Sequence, residues 1–373
     1  MPVPPTNEPR DPSLDLDAAC ALFEPAAGTV YLDSATYGLP PRPTLDALHR
    51  ALDAWRGGTG RWREEWEQDG EACRGLFAEL IGGRAEQVAL LPAVSVASAL
   101  VATGVPKGGE VLLAEGDFTS VMYPFLVARD RGDLTVREAP ARALAEAIGP
   151  RTALVAFSIV QSGDGRVADL EAISAAARQH GALVYGDGSQ ALGMLPIDVE
   201  TAGLDFLACG AYKWLCCPRG VSFLWLRPEL NDTLAPLTAS WRGGDDPFAR
   251  FYGSPLALAD DAARFHVSLA WHPFVGARAS LEVLTALDDR ARFERARAAA
   301  RVLTEQLDLP DSGSSIVSVP VTDSGAAGLA LEKAGVRVSV RAGAIRVAPH
   351  FYNRIDQAAR TAELLRPHRR PGT

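Results

Sequence analysis

An aspartate and a lysine stand out because each sits where an apolar run ends. Leu183-Val184-Tyr185-Gly186 stops at Asp187 and continues as Gly188-Ser189-Gln190, and a second apolar run, 206–209, leads into Gly210-Ala211-Tyr212-Lys213. A lysine amine can attack a carbonyl carbon and hold it as a Schiff base, and a desolvated carboxylate can keep a heterocyclic nitrogen protonated. If both runs are strands of one open α/β sheet, the two groups lie at neighbouring strand ends, where such sheets bind ligands. Singly they are also what a surface lysine and a turn aspartate look like; their joint placement carries the reading.

The surrounding chain supplies the elements such a placement needs. Helical spacing of apolar residues covers 43–55, 66–81 and Leu170 to His180, and strand-like runs cover 88–91, 110–114, 153–158 and 218–225 with its leading turn. Alternation of this kind implies a mostly parallel sheet with helices on both faces. Residues 92–98 pass from a strand into a helix start, where free N–H groups and a serine form an anion site; this places a phosphate at Val94 and Ser95. Helices at 273–287 and 293–307 lead into a small α/β region with strands at 317–320 and 344–347. The division expected is an arm at 1–28 with one short helix (14–22), a large domain at 29–275 and a small domain at 276–373.

One cofactor uses a lysine and a carboxylate together. Pyridoxal phosphate is carried on a lysine, and an acid that protonates its ring nitrogen makes the ring an electron sink. The string DGSQALGMLPIDVETAGLDFLACGAYKWLCCPRGVSFLW resembles the class V aminotransferase family of fold type I pyridoxal phosphate enzymes, which includes cysteine desulfurases, kynureninases and isopenicillin N epimerases. With its flanking motifs the resemblance runs from about residue 30 to residue 365. It implies an α/β large domain built on a mostly parallel seven-stranded sheet, and roles for individual residues. Lys213 carries the cofactor, Asp187 faces its ring nitrogen, and Gln190 donates to its ring hydroxyl. Phe118 stacks on the ring where cysteine desulfurases have a histidine and kynureninases a phenylalanine. Tyr212 reaches the phosphate, as in kynureninases. Gln161 or Ser162 faces the cofactor and the substrate carboxylate. Thr36 and Tyr37, in an N-terminal extended segment, are substrate-pocket candidates. Arg346, within RAGAIRVAPHFYN, matches the arginine that holds the substrate α-carboxylate two bonds at a time, and Arg341 reads as a surface residue. Trp241 and Ser254, in a loop-rich stretch at 231–264, are candidates for the phosphate of a partner subunit. His266 stands where the family's "Arg-Phe-Glu" neighbourhood has an acid.

Composition narrows the partners. A net charge of −9 and a pI near 5.3 over 373 residues argue against nucleic acid, which calls for a basic surface. No run approaches the length of a membrane span, and the proline-rich start has no apolar signal core. A cytoplasmic location is the expectation. Five cysteines without metal-ligand spacing read as reduced thiols, and no metal site is expected. No G-x-G-x-x-G joins a strand to a helix in the first βαβ unit, which disfavours a nicotinamide dehydrogenase. The expected protein is therefore a homodimeric enzyme that uses pyridoxal phosphate on a small-molecule amino acid. Stretch 307–328 lacks the cysteine that desulfurases use to accept persulfide, so desulfurase activity of that type is not expected; the resemblance of Phe118, Tyr212 and the Arg346 segment suggests kynureninase, and side-chain elimination or cleavage ranks ahead of amino transfer. Epimerisation and decarboxylating deamination remain behind these, and loss of chemistry in a pure binding protein is disfavoured because lysine, aspartate and arginine are all present.

Overall fold

The structure, a computed structural model, describes residues 13–370; residues 1–12 of the expected arm lie outside the described residues. The chain opens with α1 (Leu16–Cys20), capped by the Asp15 carboxylate, then β1 (Val30–Tyr31) and the helices α2 (Arg42–Arg56) and α3 (Glu67–Leu80). The core follows as β2 (Val88–Leu91), α4 (Val94–Thr103), β3 (Glu110–Ala114), α5 (Thr119–Asp130) and β4 (Thr135–Ala139). It continues through α6 (Leu144–Ala147), β5 (Thr152–Ser158), α7 (Leu170–His180), β6 (Leu183–Asp187), β7 (Phe206–Gly210) and β8 (Ser222–Leu226).

These strands form one seven-stranded sheet in the order β2-β8-β7-β6-β5-β3-β4. Neighbours are parallel except at β8, which runs antiparallel to both β2 and β7. The chain winds outward from β3 to β4, returns to β5 beside β3, and then winds the other way. That reversal opens a crevice at the carboxyl ends of the strands, where Phe118 follows β3, Ser158 ends β5 and Asp187 ends β6. Alternate strand residues feed two apolar layers, as both faces of a parallel sheet require. Val155, Phe157 and Leu207 pack with α3, α7 and α8 residues such as Phe77, Ala177 and Leu281, while Leu154, Ala156 and Tyr185 pack with Val101 of α4 and Phe125 of α5.

The remaining elements are α8 (Trp271–Thr285), α9 (Asp289–Gln306), β9 (Val317–Pro320), α10 (Ser324–Lys333), β10 (Val336–Arg337), β11 (Ser339–Arg341), β12 (Ala344–Val347) and α11 (Ile355–Leu365). β11, β12 and β9 form an antiparallel sheet whose core joins Leu303, Val319, Ile345 and Leu365. Leu32, from the N-terminal segment, lies in that same core, and β1 pairs in parallel with β10. The N-terminal segment is thus an added layer of the C-terminal part.

Two elements of the core escape the apolar pattern of the sequence. β4 sits at a sheet edge and carries the polar residues Thr135, Arg137 and Glu138, because a half-solvated edge strand needs no continuous apolar run. α5 contains Pro124 and leaves Tyr123 and Val127 exposed, which blurs its helical stripe.

Candidate active site

A cavity of about 190 Å³ opens at the carboxyl edge of the sheet, and Asp187, Lys213, Phe118, Tyr212, Val94 and Ser95 all line it. Strand geometry explains the assembly. β6 and β7 are adjacent and parallel, with Asp187 opposite Ala208, so Asp187 projects at the end of one strand and Lys213 from the turn after the other. α4 begins at the same edge because β2 ends there. Its N-cap is Ala93, which offers no side-chain cap, and among the described residues the N–H groups of Val94 and Ser95 have no hydrogen-bond partner. A helix start left open toward a cavity suits an anion.

The two ionisable groups are buried, at 4% exposure for Asp187 and 6% for Lys213, yet among the described residues they form no ion pair with each other. Asp187 Oδ1 accepts from the Ser189 hydroxyl at 2.5 Å and from the Ser189 N–H at 2.9 Å, which leaves Oδ2 for another donor. Gly210 N–H donates in turn to the Ser189 hydroxyl at 2.8 Å and ties β7 to the same turn. Burial pushes the Asp187 carboxyl above its ordinary value, against the pull of Lys213 and the Ser189 bonds. Burial also pushes the Lys213 amine below its ordinary value; Asp187 opposes this, and Arg346 and Arg341 add to it. The result is an amine that burial makes easier to deprotonate, with an acid across a gap. Lys213 Nζ lies 5.3 Å from the centre of the Phe118 ring and 5.8 Å from that of Tyr212. A flat ring that presents an aldehyde to Lys213, a nitrogen to Asp187 and a phosphate to α4 fits this donor set.

The second half of the site lies around Arg346, which is 1% exposed. Its Nε donates to the Ser339 hydroxyl at 3.1 Å, Nη1 to Ser162 O and Oγ at 2.8 and 2.9 Å, and Nη2 to Thr36 Oγ1 at 2.6 Å. Asp33 is 3.6 Å away. Burial and the neighbouring Arg341 bring Arg346 down to about 10, so it stays cationic at neutral pH. Tyr37, half-exposed, lies 6.1 Å from the Tyr212 ring.

The structure separates the pair left open by the sequence. Ser162 joins Arg346, whereas the Gln161 amide is turned toward Asp117 Oδ2 at 3.2 Å. Asp117 also accepts from Ser158 and from the N–H of Phe118, and so fixes where the aromatic ring begins. Gln190 does not line the Lys213 cavity. Its Nε2 donates to Ala35 O and Ser162 Oγ, both at 3.0 Å, and its Oε1 accepts from the Trp214 indole at 2.8 Å, since a buried indole N–H needs an acceptor. Gln190 therefore spans the two halves. Trp241 packs among Trp62, Phe248 and Phe251, and Ser254 lies on an exposed loop; neither lines the Lys213 cavity of its own chain. His266 faces Arg242 at 3.0 Å in a buried cluster with Glu67.

Arg219 leaves no sign in the sequence as a site residue, and Ser189 leaves only a local one. Arg219 lines the cavity with its guanidinium 5.2 Å from the Tyr212 ring centre, beside the start of α4. Its place in a Pro-Arg-Gly turn reads as a loop charge, and the fold alone brings it to the cavity. Ser189 is legible in hindsight, because a serine two residues after an aspartate can close a turn onto it.

A lysine and a carboxylate at adjacent strand ends, an open helix start and a buried arginine beyond them define a fold type I pyridoxal phosphate enzyme. The class V aminotransferase model matches residues 30–342, and the chain belongs to that family. The uncharacterized aminotransferase YcbU of Bacillus subtilis (strain 168) is 32% identical over 353 residues, covering 89% of this chain and 92% of that protein. The isopenicillin N epimerase of Streptomyces clavuligerus is 34% identical over 197 residues, 48% of this chain and 49% of the epimerase. The structure of C-DES, a cystine C–S lyase, with its product cysteine persulfide superposes with a TM-score of 0.83 at 21% identity, covering 92% of this chain and 99% of that one; at that identity the likeness speaks for the fold. Among the described residues no helix is long and apolar enough to cross a membrane.

Proposed function

We propose that this enzyme eliminates or cleaves the side chain of an α-amino acid, and that it works as a homodimer. The carrying observation is the polarity of the site: a buried Lys213, whose amine burial pushes below its ordinary value, at one end and a buried Arg346 at the other, with Ser162 and Gln190 between them. Bound pyridoxal phosphate supplies an electrophilic aldehyde and an electron-accepting ring. Lys213 Nζ would hold that aldehyde, and its amine is the group placed to take a proton from the substrate Cα. Phe118 offers an apolar face and no proton, which leaves Lys213 as the base next to it. Asp187, whose Oδ2 is left by Ser189, would hold a proton on the ring nitrogen. The N–H groups of Val94 and Ser95, with Tyr212 and Arg219, would receive the phosphate. Arg346, steadied by Thr36 and Ser162, takes the α-carboxylate, and Trp241 and Ser254 serve the phosphate across the subunit boundary.

The thiols support this reading over persulfide transfer. Burial pushes Cys73, Cys209 and Cys217 well above the usual thiol value, Cys216 is raised by the same cause, and the half-buried Cys20 is raised too. A thiol kept protonated is a poor acceptor. Amino transfer is the second reading, favoured by the name of the 32% identical relative. Incubation with a panel of amino acids, with and without a keto acid, decides between them. Keto product formed without added keto acid is expected; strict dependence on the keto acid would establish amino transfer instead. Sedimentation of dilute, active enzyme tests the dimer.

A further inference from the structure

Arg341 ends β11 on the surface, yet its Nη2 reaches back to Thr36 Oγ1 at 3.1 Å. Arg346 donates to the same oxygen at 2.6 Å. The Thr36 hydroxyl gives its own proton to Asp33 Oδ1 at 2.8 Å, so both its lone pairs face guanidinium groups. Two like charges therefore meet on one neutral atom. Asp33 lies 3.6 Å from Arg346, but among the described residues Arg341 has no ion pair.

Beyond Arg341 the surface falls into a cleft of about 480 Å³, lined also by Arg142, Arg166, Gln161 and Ser318. Arg142 has no ion pair among the described residues, and Arg166 meets Asp164, two residues away, at an exposed 3.3 Å. Glu115 is the other acid of the lining. Gln161 connects the cleft to the site, since the next residue, Ser162, holds Arg346. Cations gathered in this way repel one another in the empty protein, and an entering anion relieves that repulsion.

We propose that Arg341, with Arg142 and Arg166 behind it, binds a second acidic group of the substrate, so that the amino acid processed carries a carboxylate or sulfonate on its side chain. This rests on the proposed amino-acid reading of the site and deepens it: Arg346 takes the α-carboxylate and Arg341 the distal one. Arg341 would then set specificity rather than take part in the chemistry.

The test titrates cofactor-loaded enzyme with L-alanine, L-glutamate and L-cysteate and follows the absorbance of the bound cofactor. Wild type should bind the two acidic amino acids about tenfold or more tightly than alanine, the factor carried by one hydrogen bond between charged groups. Arg341→Gln should abolish that preference and leave alanine unchanged. Arg341→Lys should restore part of it, and Arg142→Gln should weaken it by less. An equal loss for all three amino acids in Arg341→Gln would make Arg341 a positioning residue for Thr36 and overturn the proposal, as would a wild type with no preference. Absorbance that responds to none of the three would sink the amino-acid reading itself, and the proposal with it.

Discussion

The two ends of the site are built in different ways. At the cofactor end, Val94, Phe118, Asp187 and Lys213 each follow or end a strand of one sheet, so backbone position decides where the side chains go. At the arginine end, Thr36, Ser162, Ser339 and Arg346 come from three distant segments and converge through side-chain bonds. The first end is held by the sheet ladder and two apolar layers. The second is held by a seam between the N-terminal segment, the β5 loop and the C-terminal sheet. Sheet-borne positions should therefore lose chemistry when altered and keep the fold, while seam positions should lose order or affinity and keep the chemistry of the lysine.

The largest effect expected is at the sheet-borne end. Lys213→Ala should abolish turnover and the borohydride-fixed link to the cofactor, with the fold intact; peptide mapping that placed the reduced cofactor on another lysine would break the comparison at its root.

Next comes the seam itself. Gly38 N–H donates to Tyr212 O at 2.9 Å, and a Cβ at this position would lie 2.0 Å from Lys213 O. The clash is with backbone, so it cannot be relieved by turning a side chain. Gly38→Ala should cost about 3 kcal/mol or more, at or beyond the upper range for overpacking, and should lower cofactor affinity as well because the lysine turn must shift. Urea unfolding of the apo and loaded forms checks both; an unchanged midpoint would mean that the seam is soft.

Arg346→Ala should act on one end alone. The α-carboxylate would lose a charge-assisted partner worth roughly 1.5–3 kcal/mol, or about ten- to a hundredfold in amino-acid affinity, with cofactor binding unchanged. Arg346→Lys should recover part, since an ammonium does not reproduce two parallel bonds. A comparable loss for an amine without a carboxylate would show that Arg346 supports the fold and not the substrate.

The effect that is smallest near neutral pH sharpens the seam on acidification. His350 Nε2 lies 3.0 Å from Trp214 O, next to Lys213, and its ring stacks on Tyr352. Burial lowers it to about 3 from an ordinary 6.5. The unfolded chain then takes up a proton as pH falls through 6.5 while the folded chain does not, so stability is lost between about 6.5 and about 3 at up to ~1.4 kcal/mol per pH unit. His350→Gln should flatten that slope relative to wild type over the same window, and identical slopes would exclude His350 as its source.

How far each end was legible follows from how it is built. Asp187 and Lys213 stand at the ends of apolar runs, and the start of α4 follows a strand directly; a one-dimensional pattern records such positions, because strand and helix periodicities fix them locally. The edge strand β4, with its polar face, left no such record. Arg346 was legible only through the likeness of its surrounding motif to a family, and nothing nearby in the chain announces Thr36, Ser162 and Ser339 as its partners.

By itself the sequence determined the α/β class, the lysine and the acid, since these depend on residue types at the ends of regular elements. The tertiary structure decided that Ser162 and not Gln161 joins Arg346, that Gln190 bridges the two ends under Trp214, that Arg219 reaches the cavity, and that Arg341 shares a hydroxyl with Arg346. Each of these turns on which side chains meet from separate elements, 24 residues apart for Gln190 and Trp214 and 305 apart for Arg341 and Thr36. Local periodicity carries no information about such meetings, because the contacts arise only when separate layers close on one another.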